Sequence, residues 1–202
     1  MDKEGGFKVD GKIRRDRKFP VGVMDVLNVV KTNENYRLLF DIKGRFTLVK
    51  IDKGEAKMNL MKVHKKATGP NQIPYIVTHD GRTIRFPHPD INEGDTIKYD
   101  TEKGQVISWI RNEPGNLCFI TGGNNIGRVG QLLHVERHLG SFDIVHVKDA
   151  NGKSFATRKN NVFIIGNKKS EITLPEGDGL YMNILEEKAV RDEIKTKISA
   201  KW

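Results

Sequence analysis

Leu117-Cys118-Phe119-Ile120-Thr121-Gly122-Gly123-Asn124-Asn125-Ile126-Gly127-Arg128-Val129-Gly130-Gln131-Leu132-Leu133-His134-Val135 joins two apolar runs through a loop with glycines at 122, 123 and 127. Phe142-Asp143-Ile144-Val145-His146-Val147-Lys148-Asp149 follows as a strictly alternating strand. Residues without a Cβ tolerate positive φ and let the backbone approach another surface. The stretch therefore reads as a small twisted β unit whose glycine tip can come close to a nucleic-acid backbone. A phosphate-cradling nucleotide loop does not fit: Gly122 and Gly127 have its spacing, but Arg128-Val129 stand where Lys-Ser/Thr is required. The dinucleotide fingerprint is missing too, and a strand rather than an amphipathic helix follows.

Outward from this unit, charge is the strongest signal. Lys and Arg number 35 against 26 Asp and Glu, a formal charge of +9, so the chain seeks a polyanion. No apolar run is long enough to span a membrane and no basic amphipathic helix dominates, which favours nucleic acid over a membrane surface. Cys118 is the sole cysteine, so an internal disulfide or a cysteine-rich zinc site is excluded. Its neighbours Leu117 and Phe119 imply a packed thiol rather than a nucleophile. The opening residues lack an apolar signal-peptide core, the expectation for a cytosolic protein.

Along the chain, Phe7-Lys8-Val9, the Asp10-Gly11 turn, Ile13 and then Val21 to Val30 predict short strands. Tyr36 to Val49 reads as a hairpin turning at Lys43-Gly44, and Gly54 to Leu60 as one or two helical turns ahead of a strand through Lys66. Tyr75–Thr78 and Thr83–Phe86 flank Asp80-Gly81, placing His79, Arg82 and Arg85 about one hairpin. Ile91 to Asp100 repeats the pattern of Val23 to Val29, a turn ending in Asp that feeds a strand. Gln105–Ile110 completes a further hairpin, with Trp109 read as a core residue. Glu113-Pro114-Gly115 marks a boundary. Asn151-Gly152 is a hairpin turn, and Val162–Gly166 a buried strand that closes a small barrel. Beyond Pro175 the tail carries a helix with Leu185, Ala189, Ile194 and Ile198 at helical spacings. Residues 171–202 hold seven acids and five bases, so the tail is expected to pack on protein rather than on a polyanion.

The 117–135 stretch resembles a KOW motif, a β element with a glycine-rich loop found in ribosomal proteins and elongation factors. With Phe7 to Arg14, Pro20 to Val26, Val77-Thr78-His79-Asp80-Gly81-Arg82-Thr83-Ile84-Arg85-Phe86-Pro87, Gly115 to Cys118 and Gly140 to Gly152, the chain resembles the archaeal and eukaryotic family of small-subunit ribosomal protein four from about Phe7 into the final helix. The resemblance implies a mainly β fold of consecutive small modules, including an SH3-like KOW barrel, with a C-terminal α-helix. It divides the chain into an incomplete RNA-binding module (1–30), a central β domain (31–114), the KOW-like barrel (115–169) and a tail with a helix (170–202). The helical half of the first module and a basic extension are expected before residue 7, where this sequence does not match them.

The function so implied is that of a structural constituent of the small ribosomal subunit, cytoplasmic and held in ribosomes. Its expected partners are ribosomal RNA and neighbouring ribosomal proteins, with no membrane, small-molecule substrate, metal or cofactor. Charge beside turns nominates the RNA-binding residues. Lys8, Lys12, Arg14, Arg15, Arg17 and Lys18 form a first cluster, and Lys62, Lys65, Lys66, Arg82 and Arg85 a second. Asn124, Arg128, Arg137, His138, Arg158 and Lys159 flank the KOW-like unit. Phosphate contacts position without specifying sequence, so recognition of folded RNA shape is expected, and Arg128→Glu is expected to weaken RNA association while leaving the barrel folded. Two other readings stand beside this one: a KOW-type transcription or translation factor that binds RNA transiently, and a protein adaptor whose charge aids solubility. An enzyme does not fit. Ser141 near Asp143 suggests a triad, but no base is placed for it. His79, His88 and Asp90 flank different elements and do not form a metal site.

Overall fold

The computed structural model describes residues 6–16 and 18–199. Among the described residues, fifteen strands form three antiparallel five-stranded sheets in chain order. In the first, β1 (Phe7–Val9), β2 (Lys12–Ile13), β3 (Val26–Val29), β4 (Glu34–Phe40) and β5 (Phe46–Ile51) lie in the order β2-β1-β3-β4-β5. Asp10 and Gly11 both take positive φ, 48° and 77°. This is the two-residue turn whose twist suits a hairpin, which is why Asp-Gly marks it.

A one-turn helix, α1 (Lys53–Ala56), leads into the second sheet: β6 (Met58–Thr68), β7 (Pro74–Thr78), β8 (Thr83–Arg85), β9 (Thr96–Asp100) and β10 (Gln105–Ile110), ordered β10-β9-β6-β7-β8. The third sheet comprises β11 (Leu117–Ile120), β12 (Val129–Glu136), β13 (Ile144–Lys148), β14 (Ser154–Arg158) and β15 (Val162–Gly166), in the order β14-β13-β12-β11-β15. It curls around Cys118, Ile120, Leu132, Val145, Val147, Val162 and Ile164. β15 returns to pair with β11, and a 3-10 turn at Lys159–Asn161 bridges the gap to β14.

Two differences from the sequence reading have local causes. The strand expected from Val21 begins only at Val26, because Gly22 N donates to Asp25 Oδ2 at 2.7 Å and Met24 adopts φ 75°, burying its side chain. The matching loop before β9 does the same: Asn92 N donates to Asp95 Oδ2 at 2.9 Å, and the strand starts at Thr96. The repeat seen in sequence is thus a repeated carboxylate-capped turn. Secondly, the division expected at residue 30 falls between β3 and β4, which pair from Val26↔Arg37 to Val29↔Glu34. Residues 31–51 complete the first sheet instead of opening the central one.

The sheets are not independent. Met24 and Leu39 of the first, Leu60 of the second, and Phe119, Val129, Phe163 and Ile165 of the third share one core with Ile172 of the tail. A separate cluster of Met61, Val63, Ile76, Ile91 and Ile97 supports the second sheet, with Trp109 packed against it as expected. The tail crosses the shared core: Ile172 is buried, Thr173 Oγ1 donates to Glu55 at 2.7 Å, and Val129 N donates to Gly179 O at 3.1 Å.

α2 (Ile184–Ser199) follows, its start fixed by Asn183 N donating to Glu186 Oε2 and by a Glu187–Arg191 pair one turn apart. Leu185 and Ala189, expected on a packing face, are exposed. Glu187 ties the helix to Lys43. The side chains of Ile194 and Ile198 lie outside the described residues.

The glycine tip is held at close quarters within the chain itself. Gly127 has φ 79°, and a Cβ there would stand 2.1 Å from the carbonyl oxygen of Asp41 in the β4–β5 turn. The closeness that the glycines permit is spent on docking the third sheet against the first. Gly127→Ala should therefore cost more than the ~1–2 kcal/mol of a left-handed alanine. Gly152→Ala, at φ 82° with open space around it, should cost only that penalty. Urea unfolding of the two variants is the comparison, and equal losses would show that the Asp41 approach is not a constraint.

Candidate nucleic-acid interface

A cleft of about 1410 Å³ opens where the three sheets meet. Basic residues from remote parts of the chain reach it: Lys12 and Arg14, Lys62 and Arg82, Arg158 and Lys159. Asp10, Asp25, Asp80, Glu93 and Asp143 line it as well, so the question is which positive charges are already neutralised.

Several are. Arg82, half-buried, pairs with Asp10 and with Asp80, each at 2.7 Å. Asp10 also accepts from Val26 N at 3.0 Å and Asn59 Nδ2 at 2.7 Å, so this network ties the first sheet to the second. Lys62 Nζ donates to the carbonyls of Asn160 and Val162 at 2.9 and 2.7 Å and approaches that of Lys159 at 3.4 Å. It joins β6 to the 3-10 turn of the third sheet. Burial pushes its pKa down to about 8, with Lys159 adding repulsion, while the three carbonyls favour the charged form. Lys66 Nζ donates to Pro89 O and Ile91 O, both at 2.7 Å. Lys159 faces Asp143 at 3.5 Å.

Arg128 departs furthest from expectation. Its guanidinium stacks 3.8 Å over the Phe155 ring, pairs with Asp149 at 3.0 Å and donates to Asn125 Oδ1 at 3.0 Å. The Arg128 side chain is 12% exposed and that of Asp149 1%. The residue braces the third sheet, so Arg128→Glu is now expected to destabilise the barrel rather than leave it folded.

The remaining candidates divide by exposure. Lys12, Arg15, Lys18, Lys65, Arg85, Asn124, Arg137, His138 and Arg158 are exposed, and Lys8 and Arg14 half-buried. Arg14 lies 4.1 Å over Phe19, and Arg158 lies 4.3 Å over Phe142, itself 57% exposed. His138 faces Glu136 at 3.6 Å. Arg17 lies outside the described residues.

The groups that raised other chemistries are occupied. Cys118 is buried, its thiol donates to Gly130 O, and burial pushes its pKa up to about 12. His79 accepts from Lys62 N at 3.2 Å through Nδ1, with Nε2 3.4 Å from Val23 O, and burial lowers its pKa. The neutral Nε2–H form satisfies both contacts. His88 stacks on Trp109 instead, 4.5 Å between centroids. Burial, with Asp10 and Asp80 nearby, raises Asp25 to about 6 despite the bond from Gly22.

Sequence reasoning missed Arg37, which is fully buried. It lies 3.4 Å from Glu55 and donates to the carbonyls of Met58 at 2.9 Å and Glu55 at 3.3 Å, with Met24 O at 3.5 Å. Burial lowers its pKa, and Glu55 opposes that. The signal was present, since Asn35, Arg37 and Leu39 alternate inward along β4.

Three sheets on a shared core, a basic excess and a cleft rimmed by exposed cations define a basic, multi-module β protein. Comparison with known proteins gives the family. Residues 32–106 match the ribosomal family S4e, and residues 149–195 match the C-terminus of 40S ribosomal protein S4. The chain is 56% identical over 188 residues to the small ribosomal subunit protein eS4 of Tetrahymena thermophila, covering 93% of this chain and 73% of that one. It is 53% identical over 195 residues to that of Bombyx mori, covering 96% and 73%. The crystal structure of the 30S ribosomal protein S4e from Thermoplasma acidophilum superposes with a TM-score of 0.73 at 34% identity, covering 84% of this chain and 85% of that one. The chain belongs to ribosomal family S4e, a family of structural ribosomal proteins and not of enzymes.

Proposed function

We propose that this chain is a constituent of the small ribosomal subunit in the cytoplasm, where it binds ribosomal RNA along the rim of the three-sheet cleft. One observation carries the placement: Lys12 and Arg14 from the first sheet and Arg158 from the third border one cleft although they are remote in sequence. Among the described residues, no carboxylate pairs with their cationic groups as Asp10 and Asp80 pair with Arg82. Phe142 beneath Arg158 offers an exposed aromatic face to an unstacked base. Lys65, Arg85 and Arg137 extend the same role to the outer hairpins. Along sheet lines the functional modules are 6–52, 53–112 and 113–166, with the tail strapping them together. The exposed Leu185 and Ala189 of α2 are suited to a neighbouring ribosomal protein.

The test is sedimentation of the tagged chain from its own cell lysate through a high-salt sucrose gradient. Co-migration with the small subunit is expected. A chain left at the top that still binds RNA at low salt would support a transient factor instead. Lys12→Gln with Arg14→Gln and Arg158→Gln should flatten the dependence of log affinity on log salt by roughly 0.7–0.9 for each phosphate that is no longer neutralised. An unchanged slope would remove the rim from the interface.

A further inference from the structure

On the outer face of the third sheet, His134 and His146 are cross-strand partners in β12 and β13. Their rings stack in parallel, 4.4 Å between centroids and 8° between planes. Both Nε2 atoms approach one oxygen, Glu136 Oε1, at 3.4 and 3.2 Å, and His138 Nε2 stands 3.6 Å from the other oxygen. Two features make this more than a surface ion pair. His146 Nε2 is buried and, though 3.2 Å from the carboxylate, meets no hydrogen-bond geometry among the described residues. The register shift between Leu132 and His134 is a bulge, a device that re-aims side chains.

We propose that His134, Glu136 and His146 bind a single Zn²⁺-like transition-metal ion, with His138 or water as fourth ligand. The three ligand atoms lie within 4.8 Å of one another. Imidazole and carboxylate are ligands such ions prefer, at about 2.0–2.2 Å in a tetrahedron. Closing onto a metal requires the two rings to tilt out of their stack. His134 and Glu136, 56% and 47% exposed, are free to move. A cation at this point gives the buried nitrogen a partner and leaves Glu136 neutralised. By strand alternation, Lys148 and Arg158 share this outer face, and their positive charge sets a limit on affinity that Glu136 offsets.

The experiment is equilibrium dialysis of the full chain against ZnCl₂, with nitrogen-15 NMR of the imidazole rings. One equivalent should bind, shifting the resonances of His134 and His146. Affinity should fall as pH drops from 8 to 6, because both rings must be neutral to ligate. His134→Gln and Glu136→Gln, both at exposed positions, should each weaken binding at least tenfold, while His88→Gln should leave it unchanged. Undiminished binding by both variants, or zinc-dependent shifts confined to His64 or His88, would overturn the site.

Discussion

Arg128→Glu should unfold the third sheet at a temperature well below that of the parent chain. The guanidinium is fixed by Asp149 and Asn125 and lies on the face of Phe155. Removing one partner of a buried pair costs about 3–5 kcal/mol because the other charge stays behind without compensation. Here the replacement adds a second carboxylate beside Asp149, which is 1% exposed. For a chain of this length, each kcal/mol moves the melting temperature by roughly 2–4 °C. A drop of at least ~6 °C is therefore expected by circular dichroism. Arg128→Lys should recover part of it, keeping the charge but losing the fork and the flat stack. A variant that melts like the parent yet binds RNA less well would return Arg128 to the RNA surface.

Arg128 shows what the sequence does and does not carry. Turns and strands were legible because their determinants are local: Asp10-Gly11 makes the same hairpin wherever it stands, and alternation along β13 puts Val145 and Val147 inside without reference to anything else. Charge is different. In sequence Arg82, Lys62 and Arg128 look like Lys12 and Arg158, all of them basic residues beside turns. Their roles depend on which acids and carbonyls the fold brings up from elsewhere. Asp10 meets Arg82 across 72 positions, and Lys62 meets Val162 across 100. The same holds for the glycine tip. Its freedom was legible, whereas the surface it approaches, the Asp41 carbonyl, lies in another sheet.

Arg37 is the counterpart inside the shared core, and Arg37→Met is the second substitution with a large expected cost. The side chain is 0% exposed and reaches from β4 to the carbonyls of Met24 and Met58 and to Glu55. Glu55 in turn accepts from Thr173 of the tail through both the backbone nitrogen and the hydroxyl. One guanidinium thus links two sheets, α1 and the strap that crosses them. Methionine fills comparable volume without a charge, so the expected loss, again about 3–5 kcal/mol, comes from carbonyls left without a donor and a carboxylate left without its counter-charge rather than from a cavity. That origin makes a distinct forecast for the pair. With Glu55→Gln added, the stranded charge disappears while the amide can still accept from Thr173, so the double variant should be more stable than the sum of the two single losses. Urea unfolding of the four chains closes the cycle. Simple additivity would mean that Arg37 acts through its carbonyl contacts alone and that Glu55 serves only the tail.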